Sequence, residues 1–104
     1  MTKGYWIVRV DVRDPDTYAQ YVKANAEPFA RYGARFLARA GKHEVVEGSA
    51  RARNVVIEFP SFEQALACYH DEAYQKAKAI RDPVATADVL VIEGYDGPQP
   101  AAPT

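Results

Sequence analysis

Four charged side chains are the best candidates for chemistry, because they interrupt otherwise apolar, strand-like segments: Arg9, Arg39, Glu58 and Glu93. A buried guanidinium can hold an anionic or enolate oxygen, and a glutamate whose pKa is raised by burial can act as a base. The four can instead pair with one another across strands or across a subunit interface, because buried charges need partners. Their positions have no diagnostic spacing, so both interpretations stay open, with pairing favoured.

Histidine, serine and cysteine provide weaker candidates. His43 is retained as a candidate base because it lies near a predicted strand end, and strand ends border a predicted cavity. His43 and His70 lack the spacing of metal ligands, so no metal site is predicted. Ser61 is explained by helix capping rather than by nucleophilic chemistry. Cys68 is the one cysteine of the chain, and we expect it to be a small buried residue in a reducing cytosol.

The composition favours a single small cytoplasmic domain. The chain has 104 residues, a formal net charge of −1 and scattered lysines and arginines, so nucleic-acid binding is not expected. The first residues lack the apolar region of a signal peptide, and no segment reaches the roughly 20 apolar residues of a membrane span. No glycine-rich phosphate loop is present, and no cofactor is predicted. We predict a folded domain over residues 1–96 and a disordered Pro/Ala-rich tail over residues 97–104.

The first half of the chain predicts a strand, a helix and a second strand. Residues 4–12 are rich in aromatic and β-branched side chains that alternate in the manner of a strand. Asp14-Pro15 is typical of a helix start, whereas Pro28 inside the helical pattern predicts a kink or two short helices. Residues 34–40 predict the second strand, which residues 42–47 can extend past a bulge.

The second half predicts a strand, a helix with a break, and a last strand. Residues 54–59 alternate with period two, and Ser61 followed by Gln64 is a capping box that starts a helix at about Phe62. Asp71 is an N-cap candidate at which this helix can stop and restart. Residues 88–95 predict the fourth strand.

This element order predicts an α+β fold of the ferredoxin-like βαββαβ type, with two helices on one face of a four-stranded antiparallel sheet. The side chains predicted to face the helices are Trp6, Val8, Val10, Phe36, Val55, Ile57, Phe59, Leu90 and Ile92. The opposite, helix-free face is predicted to carry Tyr5, Ile7, Arg9, Leu37, Arg39, Val56, Glu58, Val89, Val91 and Glu93. The aliphatic residues among them make too large an apolar patch for a monomer, so we predict a homodimer through this face.

Several separated motifs resemble the small bacterial family known as domain of unknown function 1330. They include Lys3 to Ile7, Tyr32 to Arg39 and, above all, Val56 to Glu63 with the tyrosines that follow. The resemblance covers about residues 3–95 and implies a dimeric α+β barrel. This sequence has Asp71-Glu72 where the family often has Ser-Pro. The wider superfamily includes cofactor-free monooxygenases, isomerase-like enzymes and haem-dependent enzymes, and shared fold alone supports only an analogy.

Three functional hypotheses follow. The first is a homodimer that binds a small organic ligand, anionic or neutral, in a cavity between sheet and helices, with ligand contacts predicted from Tyr5, Arg9, Arg39, Glu58 and Glu93. The second is a cofactor-independent monooxygenase- or isomerase-like enzyme, with Glu58 or His43 as base and Arg9 or Arg39 as the partner of the oxyanion. The third is a purely structural role, in which these charges pair fully across the dimer.

Overall fold

The chain folds into one antiparallel sheet with all its helices on one face. The computed structural model describes residues 2–101, so the predicted tail is covered only as far as residue 101 and residues 102–104 lie outside the described part. Its elements, in chain order, are β1 (Gly4–Val12), α1 (Pro15–Arg31), β2 (Arg35–Arg39), β3 (Arg53–Phe59), α2 (Phe62–His70), α3 (Glu72–Arg81) and β4 (Ala85–Glu93). The strand order β2-β3-β1-β4 confirms the predicted ferredoxin-like α+β fold, with the second helix divided into two.

Helix α1 begins as its sequence predicts and continues further than expected. The Asp14 carboxylate accepts a hydrogen bond from the Thr17 backbone N–H at 3.2 Å, and Pro15 occupies the first turn. The helix then runs through Pro28 as one element of 17 residues, so the alternative of two short helices is wrong. Pro28 is fully buried beside Phe29, whose ring packs edge-on to Trp6 at 5.2 Å. Core packing therefore outweighs the one backbone hydrogen bond that the proline removes.

The predicted caps of the second helical region are confirmed. Ser61 accepts from the Gln64 backbone N–H at 3.1 Å and starts α2. Asp71 has an extended ψ of 140° that ends α2, and its carboxylate accepts from the Ala73 N–H at 2.8 Å to start α3. The same carboxylate receives both terminal nitrogens of Arg31 at 2.9 Å each, so it also ties α3 to the end of α1.

The two faces of β4 are the reverse of those predicted. Val91 pairs with Trp6 and Val89 with Val8, which places both valines on the helix side. Leu90 and Ile92 lie on the helix-free face, and each keeps about half of its surface exposed, 52% and 50%. Glu93, also predicted on the helix-free face, ends the strand on the same side as Val91. Residues 89–92 are all aliphatic, so polar and apolar side chains do not alternate there. The pairing register with β1 therefore determines which side chains of β4 face the helices.

A bulge in β2 moves Arg39 to the helix side of the sheet. Phe36 pairs with Ile57, but Ala38 pairs with Val56 and Arg39 with Val55, so β2 has one extra residue at Leu37. An extra residue reverses the side of every side chain that follows it, and Arg39 therefore leaves its predicted face. The predicted strand extension over residues 42–47 is also wrong, because residues 40–52 form an exposed loop without regular hydrogen-bonded structure.

Candidate functional site

A cavity lies between α1 and the sheet, and we call it the α1 cavity. The centres of water molecules can occupy about 30 Å³ of it, room for about two water molecules. All of its space that is free of protein atoms, including space open to solvent, is about 330 Å³. Most of its wall is aromatic or aliphatic, and the lining residues are Trp6, Val8, Tyr18, Tyr21, Val22, Asn25, Phe29, Phe36, Arg39, Arg53, Val55 and Ile57.

Helix α1 contributes one wall through a stripe of side chains three or four residues apart. Tyr18, Tyr21, Asn25 and Phe29 recur at that spacing and are all buried, so they share the face that packs on the sheet. Asn25 is the polar member of the stripe, with 5% of its surface exposed. An amide at an otherwise apolar position lacks a packing explanation, so Asn25 is a polar contact available to a molecule in the α1 cavity.

The sheet contributes two arginines at the mouth. The Arg53 guanidinium carbon lies 5.3 Å from the centre of the Tyr18 ring, and that of Arg39 lies 4.1 Å from the centre of the Phe36 ring. Neither arginine has a carboxylate within the 4.0 Å of an ion pair among residues 2–101. Stacking on aromatic rings therefore holds both cations in place without neutralising them.

The Nε of Arg53 is a buried donor without an acceptor. Within the described part of the chain it is the one fully buried side-chain nitrogen or oxygen that makes no hydrogen bond. A buried donor left unpaired costs about 1–3 kcal/mol, and more when it is charged. Each such group in a folded protein calls for an explanation.

A buried phenol network lies behind the cavity wall. The hydroxyls of Tyr21 and Tyr74 are 2.8 Å apart, and Arg81 donates to Tyr74 at 3.0 Å. Burial raises the pKa of Tyr74 and, at the cavity, that of Tyr18. Both phenols therefore stay protonated near neutral pH and can donate hydrogen bonds rather than abstract protons.

The α1 cavity offers cations and hydrogen-bond donors but no ordinary base. None of its lining residues is an aspartate, a glutamate or a histidine. Cys68 is buried elsewhere in the core, and burial raises the pKa of its thiol to about 12, so it is not a reactive thiolate. The site is suited to holding a molecule more than to proton transfer by a side chain.

The residues predicted as a site do not share one cavity, although Arg9 and His43 line one surface pocket. Tyr5, Arg9 and Glu58 share the helix-free face, where the Tyr5 hydroxyl lies 3.5 Å from the Glu58 carboxylate. Glu93 lies at the end of β4 and accepts from Thr2 at 3.1 Å. Of the predicted ligand contacts, Arg39 alone lines the α1 cavity.

The candidate base His43 lies on the exposed loop of residues 40–52. Its Nδ1 is 3.2 Å from the Gly41 carbonyl oxygen. Neither His43 nor Glu58 lines the α1 cavity, so the pairing of either with Arg39 around one substrate has no support in this geometry.

Two residues that sequence reasoning left out, Asn25 and Arg53, line the α1 cavity. Both had a detectable signal. Asn25 occurs four residues after Tyr21 and four before Phe29 on the apolar stripe, and Arg53 shares the alternation of Val55 and Ile57 toward the helices. A polar residue at a position where the pattern demands an apolar one is a stronger sign of a site than a charge in an exposed strand.

The helix-free face carries an apolar row that crosses all four strands. Ala38, Val56, Ile7 and Leu90 are successive register partners across β2, β3, β1 and β4. The row above it contains Arg35, Glu58, Tyr5 and Ile92, and the row below contains Asn54, Arg9 and Asp88. This face is thus apolar in its middle and polar along its margins, the arrangement typical of protein interfaces.

Within residues 2–101, no group of three or more His, Cys, Asp and Glu side chains is arranged to hold a metal ion. No helix in that range is long and apolar enough to cross a membrane.

Comparison with solved structures shows the same fold at low sequence identity. A protein of unknown function from Rhodopseudomonas palustris is 17% identical with a TM-score of 0.70, over 92% of this chain and 85% of the other. The cofactor-independent oxygenase SnoaB from Streptomyces nogalater is 10% identical with a TM-score of 0.66, over 93% and 97%. A hypothetical protein from Arabidopsis thaliana is 17% identical with a TM-score of 0.59, over 97% and 91%. At these identities the likeness concerns the fold alone.

No curated protein matches this sequence. The family model described as domain of unknown function (DUF1330) matches residues 3–95, nearly the whole chain. The resemblance noted in the motifs is therefore confirmed, and the chain belongs to the DUF1330 family.

Proposed function

We propose that this protein is a homodimeric binding protein that holds a small organic ligand in the α1 cavity. One observation carries the proposal: three polar side chains, Asn25, Arg39 and Arg53, lie in a lining that is otherwise aromatic and aliphatic. A few polar groups set in an apolar concave surface are typical of small-molecule sites. The centres of water molecules can occupy only about 30 Å³ of the cavity, so such a ligand must extend beyond it.

The homodimer is proposed to form through the helix-free face. The apolar row across four strands and the half-exposed Leu90 and Ile92 support it. The same apolar sheet face is present on both copies, so a second copy related by a two-fold axis can cover it, and no other protein is needed. The cytoplasm remains our proposed location, in keeping with a buried free thiol at Cys68.

Binding can be tested by filling the cavity. Val22 lines the α1 cavity and is partly exposed, so Val22→Phe fills the mouth with little disturbance of the core. A ligand present at ten times its Kd raises the Tm of a domain of this size by roughly 5 °C or more. We expect compounds from a library of small organic molecules to give that shift for the original protein and not for Val22→Phe.

Val46→Phe, on the exposed loop, is the matched control and should keep the shifts. Native mass spectrometry of the freshly purified protein provides a second measurement, through any ligand that copurifies. If no compound shifts the Tm and no ligand copurifies, or if Val22→Phe responds as the original protein does, the proposal is wrong.

A cofactor-independent enzyme is the alternative function. The fold shared with the Streptomyces oxygenase supports it, whereas the absence of a carboxylate or imidazole from the cavity lining counts against a side-chain base. If Arg39→Ala and Glu58→Gln leave the turnover of every tested phenolic or lactone substrate unchanged, the assignment of those residues fails.

A further inference from the structure

The two arginines at the mouth of the α1 cavity specify the ligand more closely. Resting on the proposed function, we infer that the ligand is a small organic monoanion, a carboxylic acid, whose carboxylate is bound by the guanidiniums of Arg53 and Arg39 and whose apolar body lies between Tyr18 and Phe36.

The charge at the cavity is uncompensated. Among residues 2–101, Arg31 pairs with Asp71 and Arg51 with Asp11 and Asp88, whereas Arg39 and Arg53 make no ion pair. Both of these guanidiniums line the α1 cavity, whose lining includes no acidic residue. Like charges held close together on an apolar wall are stabilised by an anion between or beside them.

The chemistry of the arginine edge favours a carboxylate. Two nitrogens of a guanidinium form a planar pair of donors that matches the two oxygens of a carboxylate. At Arg53 the guanidinium is fixed over the Tyr18 ring at 5.3 Å, and its Nε is fully buried, which leaves the two terminal nitrogens for a ligand. This edge is therefore preorganised for an acceptor.

The residues that line the cavity also indicate the chemical character of the remainder of the ligand. Beside the two arginines, the cavity lining offers one amide, that of Asn25. The aromatic rings of Tyr18 and Phe36 also line the cavity and suit a flat apolar body. Arg39 lies over Phe36 at 4.1 Å and is exposed, so it can close over the bound acid.

Paired acids and amides test the inference. Benzoate and phenylacetate are compared with benzamide and phenylacetamide, which have nearly the same shape but no charge, by ligand-observed NMR titration. We expect each acid to bind at least tenfold more tightly than its amide. Arg53→Lys keeps the charge but loses the planar edge, and it should weaken acid binding by at least tenfold with little effect on amide binding.

Arg35→Lys is the matched control, because Arg35 lies on the helix-free face, and it should bind the acids as the original protein does. Thermal unfolding of each variant establishes that it is folded. If the amides bind as well as the acids, or if folded Arg53→Lys binds the acids unchanged, the inference is overturned while the proposed binding function stands. If neither acids, amides nor library compounds bind, the proposed function itself fails.

Discussion

Replacement of Leu90 by glutamate should separate the two copies of the proposed dimer. Leu90 keeps 52% of its surface exposed on the helix-free face, and complete burial of a leucine is worth about 1.5–3 kcal/mol. Burial of the remaining half is therefore worth about 1 kcal/mol in each copy, or about 2 kcal/mol in a symmetric dimer. Loss of that free energy raises the dimer Kd about 30-fold, and two glutamates brought together across the axis raise it further.

Sedimentation velocity over a concentration series measures this dissociation constant directly. Leu66→Glu is the matched control, because Leu66 is also partly exposed, at 37%, but lies on α2 and not on the helix-free face. The reasoning is refuted if the original protein is a monomer at micromolar concentration. It is equally refuted if Leu90→Glu dimerises with an unchanged Kd, or if the control dissociates to the same extent.

Two further predictions concern the fold. An added Cβ at Gly4 would meet the Ser61 carbonyl oxygen, a backbone atom that cannot rotate away. Gly4→Ala should therefore lower the free energy of unfolding by about 1–3 kcal/mol, measured in urea, whereas Gly41→Ala, which meets no atom within 4 Å, should cost far less. The Arg31 guanidinium holds the pKa of Asp71 well below its ordinary value. Because the depressed pKa belongs to the folded state, this carboxylate stabilises the protein above about pH 4 and stops doing so as the pH falls further. The Tm difference between the original protein and Asp71→Asn should accordingly be largest near neutral pH and shrink toward pH 2; a constant difference would contradict the argument.

Local chemistry explains which parts of the fold were predictable. Ser61 and Asp71 act as N-caps because their oxygens accept backbone N–H groups two or three residues ahead, and a signal of that kind is contained in a few consecutive residues. The order of the predicted elements then indicates the ferredoxin-like sheet. Pro28 shows where prediction from local sequence fails, because its effect on α1 depends on packing against residues distant in sequence.

The faces of two strands were not predictable, because they depend on pairing rather than on composition. Residues 89–92 are all aliphatic, so either alternate pair can face the core until β1 fixes the register. In β2 the extra residue at Leu37 has no marker such as a glycine, and the alternation continues in the sequence although it is broken in the structure.

These reversals change the interpretation of the four charged residues with which the sequence analysis began. They are not one cluster, since Arg39 and Glu93 lie on the helix side of the sheet and Arg9 and Glu58 on the helix-free face. Arg39 joins Arg53 on the helix side, at a cavity without carboxylates, while Glu58 stays on the helix-free face beside Tyr5 and opposite Arg35. Glu58 therefore already has a cationic and a phenolic neighbour, and its position suits the polar margin of an interface. Arg39 and Arg53, by contrast, lie over aromatic rings and have no carboxylate partner among residues 2–101. For that reason we place the anionic ligand in the α1 cavity.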